Sequence, residues 1–315
     1  MALVQWILAA PPVVAVKERR ATVDGYSVHY LSAGSGPDVV LLHGILGSAA
    51  CWKPALTVLA ADSTVYAMDS LGSGESDRVP DLDPGLEASA DRVARFMETV
   101  GIASADLVAT SHGGAVALML AARHPERVRS LILHAPVNPF SDVADPLIRF
   151  YATPLGQWLA RHVTDFPRRL QLLALGRMYG KARPAQDGTL NDYLRSLSVP
   201  GTIDFVLRIL GRWPADMKRL AQVLPQIPPV PVLLLWGTRD RAVSLDSGYA
   251  LAKCLRDAEM VILPDAGHLP YEEDPVMFSK AVNRFLSRLD RSGQLPGSSK
   301  PLLLDRQEPG KTRQG

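Results

Sequence analysis

The sequence predicts an α/β fold in which a mostly parallel, doubly wound sheet carries a helical insertion before its last two strands. Three observations lead to this prediction. Short apolar runs such as Val39–Leu42 and Val232–Trp236 alternate with amphipathic segments of helical period, as expected for strands buried on both faces. A strand, a serine turn and a glycine-opened helix follow one another over residues 105–123. Residues 137–221 hold helical patterns separated by Pro and Gly, without a convincing strand.

Composition places the chain among soluble globular proteins. Of its 315 residues, 47% are hydrophobic and 21% are charged, and the formal net charge is +2, so a large core can form. There is no run of basic residues, and nucleic-acid binding is therefore not expected. Cys51 and Cys254 fit no CxxC or Cys/His metal pattern, and no glycine-rich phosphate loop is present. We therefore expect neither a metal nor an organic cofactor.

The N-terminal segment bears on where the protein resides. Residues 1–10 are apolar, but no Lys or Arg precedes them, Pro11 and Pro12 interrupt the run, and the basic residues follow it. A secretory signal has its positive charge first, and a membrane-spanning helix needs about 20 apolar residues. We therefore expect residues 1–19 to be an apolar extension on a cytoplasmic protein. Contact of residues 1–16 with a membrane surface, or export, is the alternative.

The elements before residue 111 alternate between strand and helix. The pair Asp24-Gly25 lies between two short alternating segments and is typical of a hairpin turn at the edge of a sheet. Continuous apolar runs predict buried strands over 39–42, 64–68 and 105–109, with helices over 51–61 and 86–100.

Ser111 stands in a turn that is typical of a catalytic nucleophile. The motif GxSxG places such a serine between a strand and a helix, with small neighbours because strand and helix pass close together there. Gly113 fits the motif, and Ala109 replaces the first glycine with the next smallest side chain. An acid and then a histidine must follow along the chain. Asp240 and His268 satisfy this order, each after an apolar run.

Five segments together resemble the α/β-hydrolase superfamily, in the lid-bearing serine hydrolase branch of esterases, lactonases and carbon-carbon bond hydrolases. They are Leu41–Gly47, the pattern Asp69, Gly72, Gly74 and Ser76, the turn at Ser111, Trp236–Asp240, and Gly267-His268 followed by Glu273 and Pro275. The resemblance implies an α/β-hydrolase fold with a core of residues 20–136 and 222–290 and a helical lid of residues 137–221. The Gly, Ser, Pro and Lys content of residues 291–315 predicts a disordered tail.

The resemblance also implies roles for individual residues. Ser111 is then the nucleophile, Asp240 and His268 complete a catalytic triad, and the backbone N–H groups of Ile45 and His112 form the oxyanion hole. Some members of the superfamily place the acid after the strand that precedes the lid. Here that strand is followed by no carboxylate before Asp142, so Asp240 is favoured. We expect His43 and Asp69 to brace loops rather than to transfer protons.

The lid would supply most of the substrate pocket. Its helical segments include 168–178, 189–197 and 203–210, and its aromatic residues include Phe150, Trp158 and Phe205. These three are candidates for contact with an apolar substrate. For any one of them, packing between lid helices is the simpler interpretation.

The chemistry predicted from these residues is hydrolysis of a carboxylic ester of a small to medium apolar molecule through an acyl-enzyme. Carbon-carbon bond hydrolysis of diketone-type acids, thioester hydrolysis and lactone hydrolysis would use the same residues and remain alternatives. A ligand receptor with this fold is the non-enzymatic alternative. Haloalkane dehalogenases and epoxide hydrolases need an Asp where this chain has Ser111, so those activities are excluded.

Overall fold

A computed structural model describes residues 14–141, 149–151, 153–180, 187–256, 258–292 and 302–303. In these ranges nine strands form one sheet in the order β1-β2-β4-β3-β5-β6-β7-β8-β9. The strands are β1 (Lys17–Val23), β2 (Tyr26–Ala33), β3 (Asp38–Leu42), β4 (Thr64–Met68), β5 (Ala105–Thr110), β6 (Val128–His134), β7 (Val232–Gly237), β8 (Ala258–Leu263) and β9 (Leu302–Leu303). β2 pairs antiparallel with β1 and with β4, and every other neighbouring pair is parallel. The predicted mostly parallel sheet with an antiparallel edge is confirmed.

Helices cover both faces of this sheet. They are α1 (Lys53–Leu59), α2 (Leu86–Thr99), α3 (Ser111–Arg123), α4 (Pro154–Arg161), α5 (Arg168–Gly176), α6 (Asp187–Leu197), α7 (Thr202–Val223), α8 (Leu245–Cys254), α9 (Pro270–Glu273) and α10 (Pro275–Ser292). Helices α4 to α7 lie between β6 and β7, and we refer to them as the helical insertion. The sequence predicts this order of elements, including an insertion before β7 and β8.

Two hydrophobic cores lie on opposite faces of the sheet. Successive side chains of a strand point to opposite faces, so Val40 packs into one core and Val39 into the other. The first core contains buried residues of α2, α3 and α8, and the second contains those of α1 and α10. Because both faces are covered, the central strands are mostly apolar, as in the Val39–Leu42 part of β3 and in β7. The C-terminal ends of the parallel strands consequently share one rigid edge.

Helix α7 is much longer than the segment 203–210 that its pattern predicts. It has 22 residues and contains Pro214, which lacks a backbone N–H and normally ends a helix. The buried stripe continues past the proline through Leu220 and Val223. Tertiary packing of this apolar face therefore compensates for the lost hydrogen bond, since most helix stability in proteins comes from such packing.

The termini fall only partly within the described ranges. Leu302 and Leu303 pair in parallel with Val261 and Ile262, so these two residues of the expected disordered tail form a strand. Helix α10 also continues to Ser292. The rest of the tail and residues 1–13 of the expected N-terminal extension lie outside the described residues. In the part of the chain that is described, none of the helices combines the length and apolarity needed to cross a membrane.

Candidate active site

Ser111 occupies a strained turn between β5 and α3. Its φ angle is +52°, in the left-handed region that non-glycine residues seldom adopt. The turn is possible only because its neighbours are small. A Cβ on Gly113 would lie 2.5 Å from the backbone O of His43, and one on Gly114 would lie 2.5 Å from the side chain of Pro136. The strand-to-helix turn predicted from the motif is therefore present, with the serine at the first residue of α3.

Asp240 and His268 form a buried pair at the same edge of the sheet. His268 Nδ1 lies 2.8 Å from Asp240 Oδ2, and the two side chains are 5% and 1% exposed. The other carboxylate oxygen, Oδ1, accepts the N–H groups of Ala242 and Val243 at 2.8 and 3.0 Å. Burial on its own raises the pKa of Asp240, but the neighbouring His268 and these hydrogen bonds hold that pKa below its usual value. Asp240 is thus a fixed carboxylate that holds one ring nitrogen of His268.

The backbone of the His268 loop is held in place by two contacts. The backbone N–H of His268 donates to the carbonyl of Met178 at 2.7 Å. The buried carboxylate of Glu273 accepts the N–H groups of Gly267, Leu269 and Gly180 at 2.8 to 3.3 Å. Met178 and Gly180 follow α5, so the helical insertion is tied directly to the loop that carries the histidine.

The path from Ser111 to His268 runs across β6. Thr110 precedes the serine and is level with His134 in the sheet, with Thr110 Oγ1 3.0 Å from His134 Nδ1. The rings of His134 and His268 have centroids 5.7 Å apart. Burial lowers the pKa of His134 to about 3, so its ring is a neutral spacer. Among the hydrogen bonds of the described residues, none joins Ser111 Oγ to His268, and apo active sites often lack such a contact.

The loop after β3 lies against the serine turn. A Cβ on Gly44 would lie 3.2 Å from Ser111 Cβ. The N–H of Ile45 takes part in none of the hydrogen bonds found among the described residues. His112 is the second residue of α3, and the first four N–H groups of a helix lack an intrahelical acceptor. Both N–H groups thus lack a backbone acceptor among the described residues, and their role as an oxyanion hole stays a prediction.

His43 and Asp69 brace these loops, as predicted. His43 Nε2 accepts the N–H of Ser70 at 3.1 Å, so Nδ1 carries the proton and donates to Gly44 O at 2.7 Å. The carboxylate of Asp69 accepts the N–H groups of Ala49 and Glu75 at 2.5 and 2.8 Å. All hydrogen-bonding positions of His43 are thus used structurally, which leaves no role for it in proton transfer.

The three aromatic candidates of the predicted lid occupy different environments. Phe205, on α7, is 5% exposed and lines a cavity together with Ile45 and His112. Phe150 and Trp158 are 38% and 51% exposed and are not among the residues described as lining that cavity. Their rings lie against their neighbours Tyr151 and His162 instead.

A second buried carboxylate, Glu272, is one that the sequence analysis did not single out. Its two oxygens accept the hydroxyl groups of Tyr179, at 2.5 Å, and of Tyr193, at 2.8 Å. Burial raises the pKa of Glu272 to about 7, although the two hydroxyl groups act in the opposite direction. In the sequence near Glu272, only the Glu272-Glu273 pair after His268 could have indicated a buried carboxylate. Its tyrosine partners are 79 and 93 residues away in the chain.

Comparison with known proteins agrees with this architecture. A model of the alpha/beta hydrolase fold family matches residues 37–275. The chain belongs to this family. Because its relatives include named hydrolases and Ser111 occupies the nucleophile turn, the protein is an enzyme, an α/β-fold serine hydrolase. The predicted superfamily and fold are confirmed, and small-molecule substrates are the rule for this family.

Three relatives show the range of this family. The hydrolase is 30% identical over 257 residues to a pimeloyl-[acyl-carrier protein] methyl ester esterase of Neisseria meningitidis, covering 80% of this chain and 96% of the relative. It is 26% identical over 286 residues to the 2-hydroxymuconate semialdehyde hydrolase of a Pseudomonas species, covering 86% and 94%. The solved structure of the 2-hydroxy-6-oxo-6-phenylhexa-2,4-dienoate hydrolase of a Rhodococcus species matches with a TM-score of 0.72 and 25% identity, covering 87% and 99%.

Proposed function

We propose that the protein hydrolyses carboxylic esters of small to medium molecules through a Ser111-His268-Asp240 triad. The observation that carries the proposal is the buried Asp240–His268 hydrogen bond at the same sheet edge as the strained Ser111 turn. Asp240 on Nδ1 fixes the tautomer in which Nε2 carries a lone pair. That lone pair is the base that Ser111 needs in order to attack a carbonyl carbon.

The reaction proceeds in two halves. Ser111 Oγ attacks the ester carbonyl while His268 Nε2 takes the hydroxyl proton, and the N–H groups of Ile45 and His112 stabilise the resulting oxyanion. Collapse expels the alcohol, which receives the proton from His268, and leaves an acyl-enzyme. Water, deprotonated by His268, then attacks the acyl carbon; the bond to Ser111 Oγ breaks, Oγ takes the proton back from His268, and the acid is released. Each half restores the neutral imidazole, so no metal or organic cofactor is needed.

The helical insertion is proposed to act as the lid of this site. It is tied to the His268 loop through Met178 and Gly180, and Phe205 reaches the cavity beside Ile45. Such a cover excludes water from the acyl-enzyme and supplies apolar contacts to the substrate. We propose that this lid comprises residues 137–221.

Carbon-carbon bond hydrolysis is the second candidate function. It is favoured by the two relatives whose names describe hydrolases of a muconate semialdehyde and of an oxo-phenyl-dienoate. The same serine, histidine and oxyanion donors would serve, and substrate fit would decide between the two activities. The pimeloyl methyl ester esterase among the relatives favours the ester.

Steady-state kinetics distinguishes these functions. We expect sustained release of p-nitrophenol from p-nitrophenyl acetate to octanoate, and no release above background by Ser111→Ala. Faster turnover of a 2-hydroxy-6-oxo-dienoate than of every ester would assign the second function. A burst of one equivalent without turnover would indicate a ligand receptor, and no release at all would overturn the proposal.

A further inference from the structure

A cavity beside the predicted oxyanion donors is lined by Arg92, a cation that makes no ion pair among the described residues. Its volume is about 40 Å³, and it lies between α2, α7 and the loop after β3. Its lining includes Ile45 and His112, the apolar residues Phe205 and Ile209 of α7, and the polar residues Ser89 and Arg92 of α2. A cavity that shares both oxyanion residues is placed to receive part of the substrate.

Arg92 uses only one of its three guanidinium nitrogens. Nη2 donates to the carbonyl of Asp83 at 2.9 Å and to Ser89 Oγ at 3.0 Å. In the described part of the chain Nε and Nη1 make no hydrogen bond, and no carboxylate lies within ion-pair distance. Burial lowers the pKa of Arg92 to about 10, while the carboxylates of Asp83, Asp24 and Asp91 act in the opposite direction from beyond ion-pair distance, so Arg92 stays charged at neutral pH. A partly buried cation with unused donors is costly unless an anion binds to it.

Arg95, one turn further along α2, has the ion-pair partner that is usual for an arginine. Its guanidinium pairs with the carboxylate of Asp24 at 2.6 and 2.7 Å on the surface of the protein. Two arginines on one helix thus differ in a way that points to a ligand. The exposed Arg95 forms an ion pair with Asp24, whereas Arg92, which lines the cavity, forms no ion pair within the described ranges.

His112, which lines the same cavity, carries an unsatisfied polar atom. The residue is 8% exposed, and Nε2 is buried without a hydrogen-bond partner among the described residues. Burial lowers the pKa of the ring to about 4, with His43 and Arg92 acting in the same direction. The ring is therefore neutral at neutral pH and stacks on Trp213 with centroids 6.2 Å apart. Buried polar atoms without a partner are uncommon in folded proteins, and a ligand oxygen would satisfy this one.

The order of the strands assigns this cavity to one side of the substrate. His268 follows β8, on one side of the β5 strand that leads to Ser111. The cavity is lined by residues of β2, β3 and β4, including Val28, Leu42 and Met68, on the other side. The leaving group must lie next to His268, which protonates it. The acyl chain consequently extends the opposite way, toward Arg92.

Resting on the proposed ester hydrolysis, we propose that Arg92 binds a carboxylate at the far end of the acyl chain, so that the preferred substrates are monoesters of dicarboxylic acids. The cavity volume of about 40 Å³ has room for about three waters, at 10–15 Å³ for each, so it can take the carboxylate end of the acyl chain while the rest of the chain extends from it toward Ser111. The guanidinium supplies the charge, and the apolar wall of Phe205 and Ile209 contacts the methylene chain.

Matched ester pairs test this substrate class. Monomethyl succinate, glutarate and adipate are compared with the methyl alkanoates of the same carbon number, with acid release followed at constant pH. The readout is the ratio of kcat/KM for the anionic ester to that for its neutral partner. We expect the wild-type ratio to exceed one for at least one pair, and Arg92→Met to lower it about tenfold or more, as for loss of a charge-assisted hydrogen bond. Arg92→Lys should keep part of the preference, and Arg95→Met should leave the ratio unchanged.

A binding measurement separates this inference from the hydrolytic function. Calorimetry with Ser111→Ala should detect adipate binding, and the double variant with Arg92→Met should lose it. If alkanoate esters are hydrolysed without any anionic preference and adipate does not bind, the carboxylate site is wrong and the esterase stands. If adipate binds through Arg92 but no ester is hydrolysed, the esterase fails and the site stands. Equal losses for both members of each pair in Arg92→Met would also overturn the site.

Discussion

Replacement of Glu272 by Gln tests how much the ionisation of this buried carboxyl group lowers the free energy of unfolding. The pKa of this carboxyl group is raised from 4.5 to about 7, mainly by burial. Below about pH 4.5 the group is protonated in both the folded and the unfolded chain and contributes nothing to the pH dependence. Between pH 4.5 and 7 the unfolded chain releases this proton and the folded chain keeps it. The free energy of unfolding must therefore decrease as the pH rises through this window.

The size of the effect follows from the two pKa values. One pKa unit corresponds to about 1.4 kcal/mol, so this group should lower the free energy of unfolding by about 2–3 kcal/mol between pH 5 and pH 8. Gln has nearly the same shape and does not titrate. The hydroxyl groups of Tyr179 and Tyr193, which contact the two carboxylate oxygens, can rotate to accept from the new amide. Glu272→Gln should therefore lose this part of the pH dependence and be the more stable protein at pH 8.

Urea unfolding at pH 5, 6, 7 and 8 measures this difference. The quantity compared is the free energy of unfolding of the variant minus that of the wild type at each pH, which cancels the titration of all other groups. Glu98→Gln, at an exposed position of α2, is the control and should follow the wild type throughout. A difference between Glu272→Gln and wild type that stays constant from pH 5 to pH 8 would refute the reasoning.

Three further substitutions test the site and its supports. Asp240→Asn should lower kcat by about 10⁴-fold with an unchanged circular dichroism spectrum, and near-wild-type kcat would assign the acid to another residue. Gly113→Ala would place a Cβ 2.5 and 2.6 Å from two backbone oxygens, so urea unfolding should show that the free energy of unfolding falls by about 1–3 kcal/mol or more. The control is Gly176→Ala, whose Cβ would have nothing within 4 Å and should cause no loss of stability. In the wild type, His29 Nδ1 lies 2.7 Å from the carboxylate of Asp69. Asp69→Asn removes this buried counter-charge and should lower the free energy of unfolding by about 3–5 kcal/mol. A loss below about 1 kcal/mol would contradict the bracing role of Asp69.

The serine turn could be predicted from sequence because its requirements are local. Only a few residues separate Ala109, Ser111 and Gly113, and the steric reason for small neighbours acts within that segment. Asp240 and His268 could be predicted because the order of strands in this fold determines which chain positions share an edge. The roles of these residues in catalysis remain predictions that the experiments above address.

The residues that sequence analysis missed depend on contacts between distant parts of the chain. Arg92 belongs to an amphipathic helix, and nothing in that pattern distinguishes it from Arg95 until α7 closes over the cavity. Glu272 is buried beside Tyr179 and Tyr193 of the insertion, whose hydroxyl groups contact its two oxygens, and this burial raises its pKa. Helix α7 was predicted too short because Pro214 is a local signal for an end, whereas burial of its apolar stripe depends on the core beneath it.

Covalent labelling of Ser111 is the most direct test of the hydrolytic mechanism. The protein is incubated with a p-nitrophenyl alkylphosphonate, which transfers its phosphonyl group to an activated serine, and peptides are then identified by mass spectrometry. We expect one phosphonyl group per chain on Ser111, none on Ser111→Ala, and much slower labelling of His268→Ala. A wild-type protein that remains unlabelled, or one labelled at another side chain, would contradict the account.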